Sequence, residues 1–151
     1  MASIRMTIRV NDIRAQLLGA KEEMLEKLEQ GVALGAVRME RKARENCPVS
    51  TGNMRDHITS VVQRDGTVVT AKVGVALGGG DEETLNYPIY VHEGTGKYSR
   101  TGMGRKGTWR YRDDNGVWHL TDGSPANPFL ENAFNSEASE VYKDIMACLG
   151  K

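Results

Sequence analysis

The segment Cys47–Arg55, with the sequence CPVSTGNMR, ends one structural pattern and begins another. Before it, apolar residues recur at helical spacing over about nine turns. They are Leu17, Met24, Leu28, Val32, Met39 and Ala43. Pro48 stops the helix because it disfavours helical dihedrals in the residue before it, and residues 51–53 tolerate a turn. From near His57 onward, apolar and polar residues alternate as in a strand. The sequence therefore predicts a long helix that leads directly into a β region.

The N-terminal residues and two turn sequences extend this pattern. Ile4–Val10 alternates apolar and polar residues, which predicts a half-buried strand, and Asn11 or Asp12 can cap the long helix. Arg64–Thr67 and Asp113–Gly116 contain the Asp-Gly and Asn-Gly pairs that favour tight hairpins. We therefore expect two antiparallel hairpins.

Strands are predicted on both sides of these turns and at one further place. They are Ile58–Val62, Val68–Val75, Trp109–Arg112, Val117–Thr121 and Tyr87–Glu93. Residues 78–83 read as a flexible loop. Asn127 caps a final helix with Pro128 in its first turn, and Gly150 ends that helix. The order predicts an α+β fold, in which a long N-terminal helix and a C-terminal helix pack on an antiparallel or mixed sheet with long loops. We expect a single domain over residues 1–151.

Composition limits the classes of protein that fit this chain. Twenty basic and twenty acidic residues cancel, so no global field draws the molecule to nucleic acid or to an anionic membrane. The N-terminus lacks the apolar run of a secretory signal, and no window is apolar enough to span a membrane. Cys47 and Cys148 have neither metal-site nor disulfide-scaffold spacing, so we expect reduced thiols; a bridge requires that the two helix ends meet. The expected setting is a reducing cytoplasm, with release by lysis or within an assembly.

Two glycines stand four residues apart inside the long helix. Gly31 and Gly35 each cost about 1 kcal/mol relative to alanine in a helix interior, so something must offset that cost. The favoured interpretation is a bend or a break into two helices. The alternative is close approach of another backbone, such as that of a neighbouring subunit.

Catalytic and cofactor motifs are incomplete. The His92-Glu93 pair begins the zinc motif HExxH, but residue 96 is glycine, where the motif needs a second histidine. The Gly96-Lys97 pair resembles the end of a phosphate-binding loop, but Tyr98 occupies the position where that motif needs Ser or Thr, so this motif is incomplete as well. His57 and His119 could converge with His92 on a metal, although three histidines alone are weak evidence. We predict no enzymatic activity, no cofactor and no metal.

A basic and aromatic segment lies in a long glycine-rich loop, Gly94–Gly107, and in the hairpin strand that follows. It contains six basic residues and no acidic one between residues 97 and 112. The interface candidates are Lys97, Tyr98, Arg100, Arg105, Lys106, Trp109, Arg110 and Arg112. Such a segment can grip a nucleic-acid backbone, or it can dock on the acidic surface of a partner protein. The zero net charge favours protein docking.

Three elements together resemble a known family. A helix runs into Pro48-Val49-Ser50-Thr51-Gly52-Asn53-Met54-Arg55; the stretch Tyr90-Val91-His92-Glu93-Gly94-Thr95 follows, and Pro128-Phe129-Leu130 opens the last helix. In this order they resemble the head–tail joining and tail-completion proteins of long-tailed bacteriophages, of the lambdoid siphophage minor tail protein type. Met54 replaces the family's usual leucine, and His57 replaces its usual serine. The segment 94–122 is a longer loop or ribbon insertion than the family typically has.

The resemblance implies a non-enzymatic protomer of a ring, with a hexamer favoured, at the head–tail junction or the upper end of the tail. Its partners would be the head connector or adaptor and the tail-tube or tail-terminator proteins, with a passing contact to phage DNA and none to a membrane. It would reside in the virion after assembly in the host cytoplasm. The residues that would shape the fold and its rim are Pro48, Thr51, Gly52, Arg55, Glu93, Gly94, Thr95, Pro128 and Phe129. The basic segment would be an assembly contact.

Overall fold

The structure is a computed structural model that describes residues 3–9, 21–48, 53–76 and 82–150. The chain forms two compact units. The helix–sheet unit combines Ser3–Ala76 with Phe129–Lys151, and the ribbon unit is Leu77–Pro128. The expectation of one domain with an insertion over 94–122 stays a prediction.

The described residues form strands, helices and one short 3₁₀ turn. In chain order they are β1 (Ser3–Arg9), α1 (Lys21–Asn46), α2 (Asn53–Asp56), β2 (Ile58–Asp65), β3 (Val68–Val75), α3 (Glu82–Glu93), the 3₁₀ turn (Gly96–Tyr98), β4 (Trp109–Arg112), β5 (Trp118–Thr121) and α4 (Phe129–Cys148). Long N-terminal and C-terminal helices with a small antiparallel sheet make this an α+β fold, as predicted.

The helix–sheet unit is built on a three-stranded antiparallel sheet in the order β1-β3-β2. On β3 every second residue, from Val69 to Val75, is buried, which is the period of a strand with one face on a core. α1 covers that face. Ser60 Oγ donates a hydrogen bond of 2.7 Å to Glu40 Oε2, and Arg44 Nη2 donates one of 2.7 Å to the carbonyl oxygen of Ile58. These bonds hold α1 against the edge strand β2.

The two long helices approach closely at the glycine pair of α1. A Cβ added at Gly31 would lie 2.8 Å from Ile145 Cα, and one added at Gly35 would lie 2.5 Å from Val141 Cγ1. Because α1 is continuous from Lys21 to Asn46, the predicted break into two helices is wrong, and the bend stays a prediction. The alternative of close approach is confirmed, and the approaching helix is the chain's own α4. Packing between the helices therefore offsets the cost of the glycines.

One predicted strand is wrong: Tyr87–Glu93 belongs to helix α3. Aromatic and β-branched residues in this stretch favour strands, but the exposure pattern is helical, since Tyr87 and Tyr90 are exposed three residues apart while Pro88 is buried between them. Residues 82 and 83, which belong to the predicted flexible loop, lie in α3, so that part of the loop prediction is wrong.

Most other elements are confirmed. β1 and both hairpins lie where the sequence predicts them, with β2 extending to Asp65, and α4 begins one residue after Pro128. Cys47 and Cys148 are free thiols. Residues 10–20, 49–52 and 77–81 lie outside the described part, and with them the predicted helix cap, the turn at Thr51 and Gly52, and most of the 78–83 loop.

Candidate assembly interface

Backbone hydrogen bonds tie the start of the basic segment to residues 122–124. Thr95 N donates to Ser124 O at 2.9 Å, Lys97 N donates to Asp122 O at 3.0 Å, and Ser124 N donates to Thr95 Oγ1 at 2.9 Å. Gly96 has a φ of +59°, and any side chain there would overlap the Asp122 carbonyl. The predicted long loop therefore starts with a paired stretch, where a glycine allows two backbone segments to approach each other.

Asp122 gathers side chains from both sides of this pairing. Lys97 Nζ lies 2.7 Å from Asp122 Oδ2, and Thr108 Oγ1 donates to Asp122 Oδ1 at 2.6 Å. The hydrogen bond from Lys97, followed by that from Thr108, lowers the pKa of Asp122. The hydrogen bond with Asp122 is likewise the largest cause that raises the pKa of Lys97. The charge of Lys97 is therefore compensated within the ribbon unit, which reduces its value as a contact for a partner.

Strands β4 and β5 pair as a two-stranded ribbon whose register sorts its side chains onto two faces. Trp109 pairs with Thr121 and Tyr111 pairs with His119, so these residues share one face, the inner face. Arg110 pairs with Leu120 and Arg112 pairs with Trp118, so these four share the opposite face, the outer face.

The inner face is occupied by contacts within the ribbon unit. The Tyr111 and His119 rings stack with centroids 5.2 Å apart, and the Arg105 guanidinium lies 5.4 Å from the centroid of the Trp109 ring. His119 Nε2 lies 2.7 Å from Asp113 Oδ2. That hydrogen bond is the largest cause that lowers the pKa of Asp113. Two of the predicted interface residues, Arg105 and Trp109, therefore pair with each other.

The outer face exposes apolar and basic side chains together. Trp118 is 64% exposed and Leu120 is 71% exposed, beside the exposed Arg110 and Arg112. Arg112 is partly held, because its Nε donates to Gly116 O at 2.7 Å. The sequence reasoning missed Trp118 and Leu120, although the predicted hairpin and the two-residue period of a strand would have placed them beside the two arginines.

A cleft of about 350 Å³ opens on the inner side of the ribbon unit. Its walls include Tyr90, Trp109 and Arg105, and Met103, which is 88% exposed, also lines it. Glu93 is the only carboxylate among the lining residues that the structure describes. The cleft is largely apolar, and it is large enough for a bulky side chain from a partner.

The other predicted contact residues are close in the chain to residues that line this cleft. Tyr98 is exposed beside Lys97, whose Nζ lies 5.0 Å from the Tyr98 ring centroid. Arg100 is exposed, and its backbone N–H donates to Glu93 O at 2.9 Å. Lys106 is exposed between the cleft residue Arg105 and β4.

The motif residues behind the resemblance serve mainly to shape the backbone. Gly94 is buried with a φ of +77°, and Phe129 is fully buried in the core of the helix–sheet unit. Pro48 follows the end of α1 at Asn46, and Pro128 directly precedes α4. Arg55 is exposed, with its Nε 3.8 Å from Asp56 Oδ1.

The histidines do not form a metal site within the described residues. His92 Nδ1 lies 2.8 Å from Glu93 Oε1, and His119 contacts Asp113 as described above. Among the described side chains, no group of three or more His, Cys, Asp or Glu is placed to hold an ion. The local hydrogen bonds account for the positions of these two histidines.

A second exposed apolar patch lies on the helix–sheet unit. A shallow groove of about 240 Å³ is lined by Leu34, Val37, Arg38, Arg41 and Asp144. Leu34 is 56% exposed and Val37 is 61% exposed, and the ion pair of Arg38 Nε with Asp144 Oδ2, at 2.8 Å, borders them. We call these residues the helix groove. No helix in the described ranges is long and apolar enough to cross a membrane.

Comparison with protein families gives one match. The model of the HK97-gp10-like family, described as "Bacteriophage HK97-gp10, putative tail-component", matches residues 11–111, which are 101 of the 151 residues. The match runs from before α1 into β4, so it covers the cleft but not the outer-face residues Trp118 and Leu120. Neither the curated proteins nor the solved structures gave a match. The chain belongs to the HK97-gp10-like family of bacteriophage tail components.

Proposed function

We propose that this protein is a structural protomer of an oligomeric ring, with a hexamer favoured, at the phage head–tail junction or the upper end of the tail. There it takes part in tail completion and in head–tail joining. Family membership supports a place in the tail. The exposed outer face of the ribbon is the observation that carries the proposal further, because it offers a contact surface for another protein.

The composition of the outer face suits protein contact. Trp and Arg are among the residues that most often dominate the binding energy of interfaces. Here Trp118 lies opposite Arg112 and shares its face with Arg110 and Leu120. Exposed apolar side chains that cluster on one face indicate an interaction site more strongly than single exposed residues do. The neighbours we propose are the head connector or adaptor and the tail-tube or tail-terminator proteins.

A structural role, rather than an enzymatic one, is part of the proposal. It rests on how the chain uses its motif residues. Gly94 and Thr95 make backbone turns and hydrogen bonds, and Phe129 fills the core. These are positions that define a shape for assembly. The ring would form in the host cytoplasm and end in the virion.

Nucleic-acid binding is the second candidate, and one observation favours it. Lys106 and Arg110 are exposed, close in sequence to the stacked pair of Arg105 and Trp109. Against it, Lys97 is neutralised by Asp122 and Arg112 is engaged at the hairpin turn. We therefore place protein contact first, with phage DNA as a passing contact.

Two measurements test the proposal. Electron microscopy and native mass spectrometry of the purified protein should give closed rings, and mass spectrometry of purified virions should detect the protein. A protein that stays monomeric at high concentration and is absent from virions would contradict the ring and the virion location together.

A salt titration of DNA binding separates the two candidates. Binding that weakens steeply with salt, and whose slope flattens in the Lys106→Ala/Arg110→Ala variant, would favour the nucleic-acid candidate. Weak binding with the same slope in both proteins supports protein contact. The Lys143→Ala variant is a matched control, because Lys143 is an exposed base on α4.

A further inference from the structure

The ribbon unit carries an exposed apolar projection on one face and an apolar cleft on the other. Trp118 and Leu120 project from the outer face, whereas Trp109, which lines the cleft, belongs to the inner face. Neighbouring residues of a strand point to opposite sides, so the projection and the cleft of one protomer face in opposite directions. One protomer therefore cannot fill its own cleft with these residues.

We propose that Trp118 and Leu120 of one protomer insert into the cleft of a second copy of this chain, and that this contact joins neighbouring subunits. The inference rests on the proposed ring and names the surfaces that build it. A cleft of about 350 Å³ that is walled by aromatic residues suits a bulky apolar side chain. Burial of the two exposed side chains removes from water the largest apolar groups of the outer face.

Charge supports a second copy as the occupant. The outer face brings Arg110 next to Leu120, and the cleft offers the carboxylate of Glu93. The cleft also contains the Arg105 guanidinium, which lies over the Trp109 ring, so Glu93 is the group there that can pair with an incoming base. If Leu120 enters the cleft, Arg110 arrives at its rim, where it can pair with Glu93. Glu93 is a third exposed as a side chain and lies 2.8 Å from His92, so it stays accessible to a second donor.

The opposite orientation of the two surfaces sets the symmetry. In a two-fold dimer that used both contacts, each protomer would have to lie on the outer face and on the cleft side of its partner's ribbon at the same time. A head-to-tail contact avoids this conflict, because each protomer gives its projection to one neighbour and its cleft to the other. Head-to-tail contacts close into a ring when the rotation between subunits allows it.

Cysteine cross-linking tests the contact directly. Met103, which lines the cleft and is largely exposed, and Leu120 are each changed to Cys in a Cys148→Ser background, singly and together. We expect the double variant to give a ladder of covalent oligomers up to the ring size under mild oxidation. Each single variant should give none. The matched control, Val37→Cys with Leu120→Cys, pairs the projection with the helix groove and should give no ladder.

Removing the projection gives a second readout. Trp118→Ser/Leu120→Ser should raise the subunit dissociation constant about 30-fold or more, the effect typical of losing a central anchor residue. Leu34→Ser/Val37→Ser, a change at the similarly exposed helix groove, should leave it unchanged. Arg110→Glu should weaken assembly, and Glu93→Arg added to it should restore assembly.

The outcomes separate this inference from the proposed ring. Rings that persist in the Trp118→Ser/Leu120→Ser variant, with no ladder in the cysteine double variant, would overturn the contact and leave the ring standing. Loss of rings in the Leu34→Ser/Val37→Ser variant alone would overturn the proposed contact and show that the subunits meet at α1 instead. A wild-type protein that is monomeric at every concentration would overturn both.

Discussion

Substitution of the α1 glycines by alanine should destabilise this protein, against the usual effect in a helix. In an open helix, Gly→Ala gains about 1 kcal/mol from helix propensity. Here a Cβ at Gly31 would lie 2.8 Å from Ile145 Cα, and one at Gly35 would lie 2.5 Å from Val141 Cγ1. Both separations are shorter than real Cβ contacts, so the α4 backbone must shift to accept a methyl group at Gly31, and the Val141 side chain or its helix must shift to accept one at Gly35.

The net change in the free energy of unfolding is the difference between the gain in helix propensity and the cost of overpacking. Overpacking of a well-packed core typically costs about 1–3 kcal/mol, which equals or exceeds the propensity gain. The Gly31 clash is with backbone and is relieved only if α4 moves, so we expect Gly31→Ala to lower the free energy of unfolding by about 1–2 kcal/mol. Gly35→Ala should cost about 1 kcal/mol, because Val141 is β-branched and its χ1 is restricted in a helix.

Urea denaturation followed by circular dichroism measures these changes, and the expected loss corresponds to about 2–8 °C in Tm. Adding Val141→Ala to Gly35→Ala should cost less than the sum of the two single effects, because the smaller side chain relieves the clash, whereas adding it to Gly31→Ala should give the sum. Ser139→Ala, at an exposed position on α4, is the control and should stay within about 0.5 kcal/mol of wild type. Stabilisation by both glycine substitutions would refute the close approach of the two helices.

Three further outcomes are expected. The bonds to Asp122 lower its pKa from the usual 3.8, so their stabilisation is present above about pH 4 and is lost as pH falls through the lowered pKa. Asp122→Asn should therefore flatten the fall of Tm between about pH 5 and pH 2, and an unchanged acid limb would contradict this role. Burial raises the pKa of the Cys47 thiol, which makes it less reactive. In the native protein a thiol reagent should therefore modify the partly exposed Cys148 first and Cys47 only on unfolding, and peptide mapping of the modified protein would show this order. Phe129→Ala should cost about 3–5 kcal/mol in urea denaturation, and Leu120→Ala should change stability by less than about 0.5 kcal/mol; equal losses would contradict the assignment of one to the core and the other to the surface.

The basic segment shows why composition is a weak guide to an interface. Six basic residues lie close in sequence, but the structure divides them. Lys97 pairs with Asp122, Arg105 lies over Trp109, and Arg110 faces outward with Leu120. A run of charges in the sequence therefore overstates the charge that a partner would meet.

Local sequence signals predict most of the fold. Both hairpins, the N-terminal strand and the two long helices follow from side-chain periodicities of 2.0 or 3.6 residues, from the Asp-Gly and Asn-Gly turns, and from prolines near the helix ends. These signals act within a few residues of the chain. Helix α3 is the exception. Its Tyr, Ile and Val residues have strand propensity, but the exposure of Tyr87 and Tyr90 with Pro88 buried between them follows a helical period.

The sequence by itself determined most of the element types and their order, with α3 as the exception, together with the family resemblance and the basic segment as an interface candidate. Only the tertiary structure decided what the glycines of α1 contact, which carboxylate neutralises Lys97, and that Trp118 and Leu120 stand opposite the cleft. The physical reason is the range of the interactions. Dihedral preferences and side-chain periodicity are set by neighbours in the chain. The ion pairs of Lys97 and Arg38 join residues 25 and 106 positions apart, and the contacts between α1 and α4 join opposite ends of the chain, which no local pattern records.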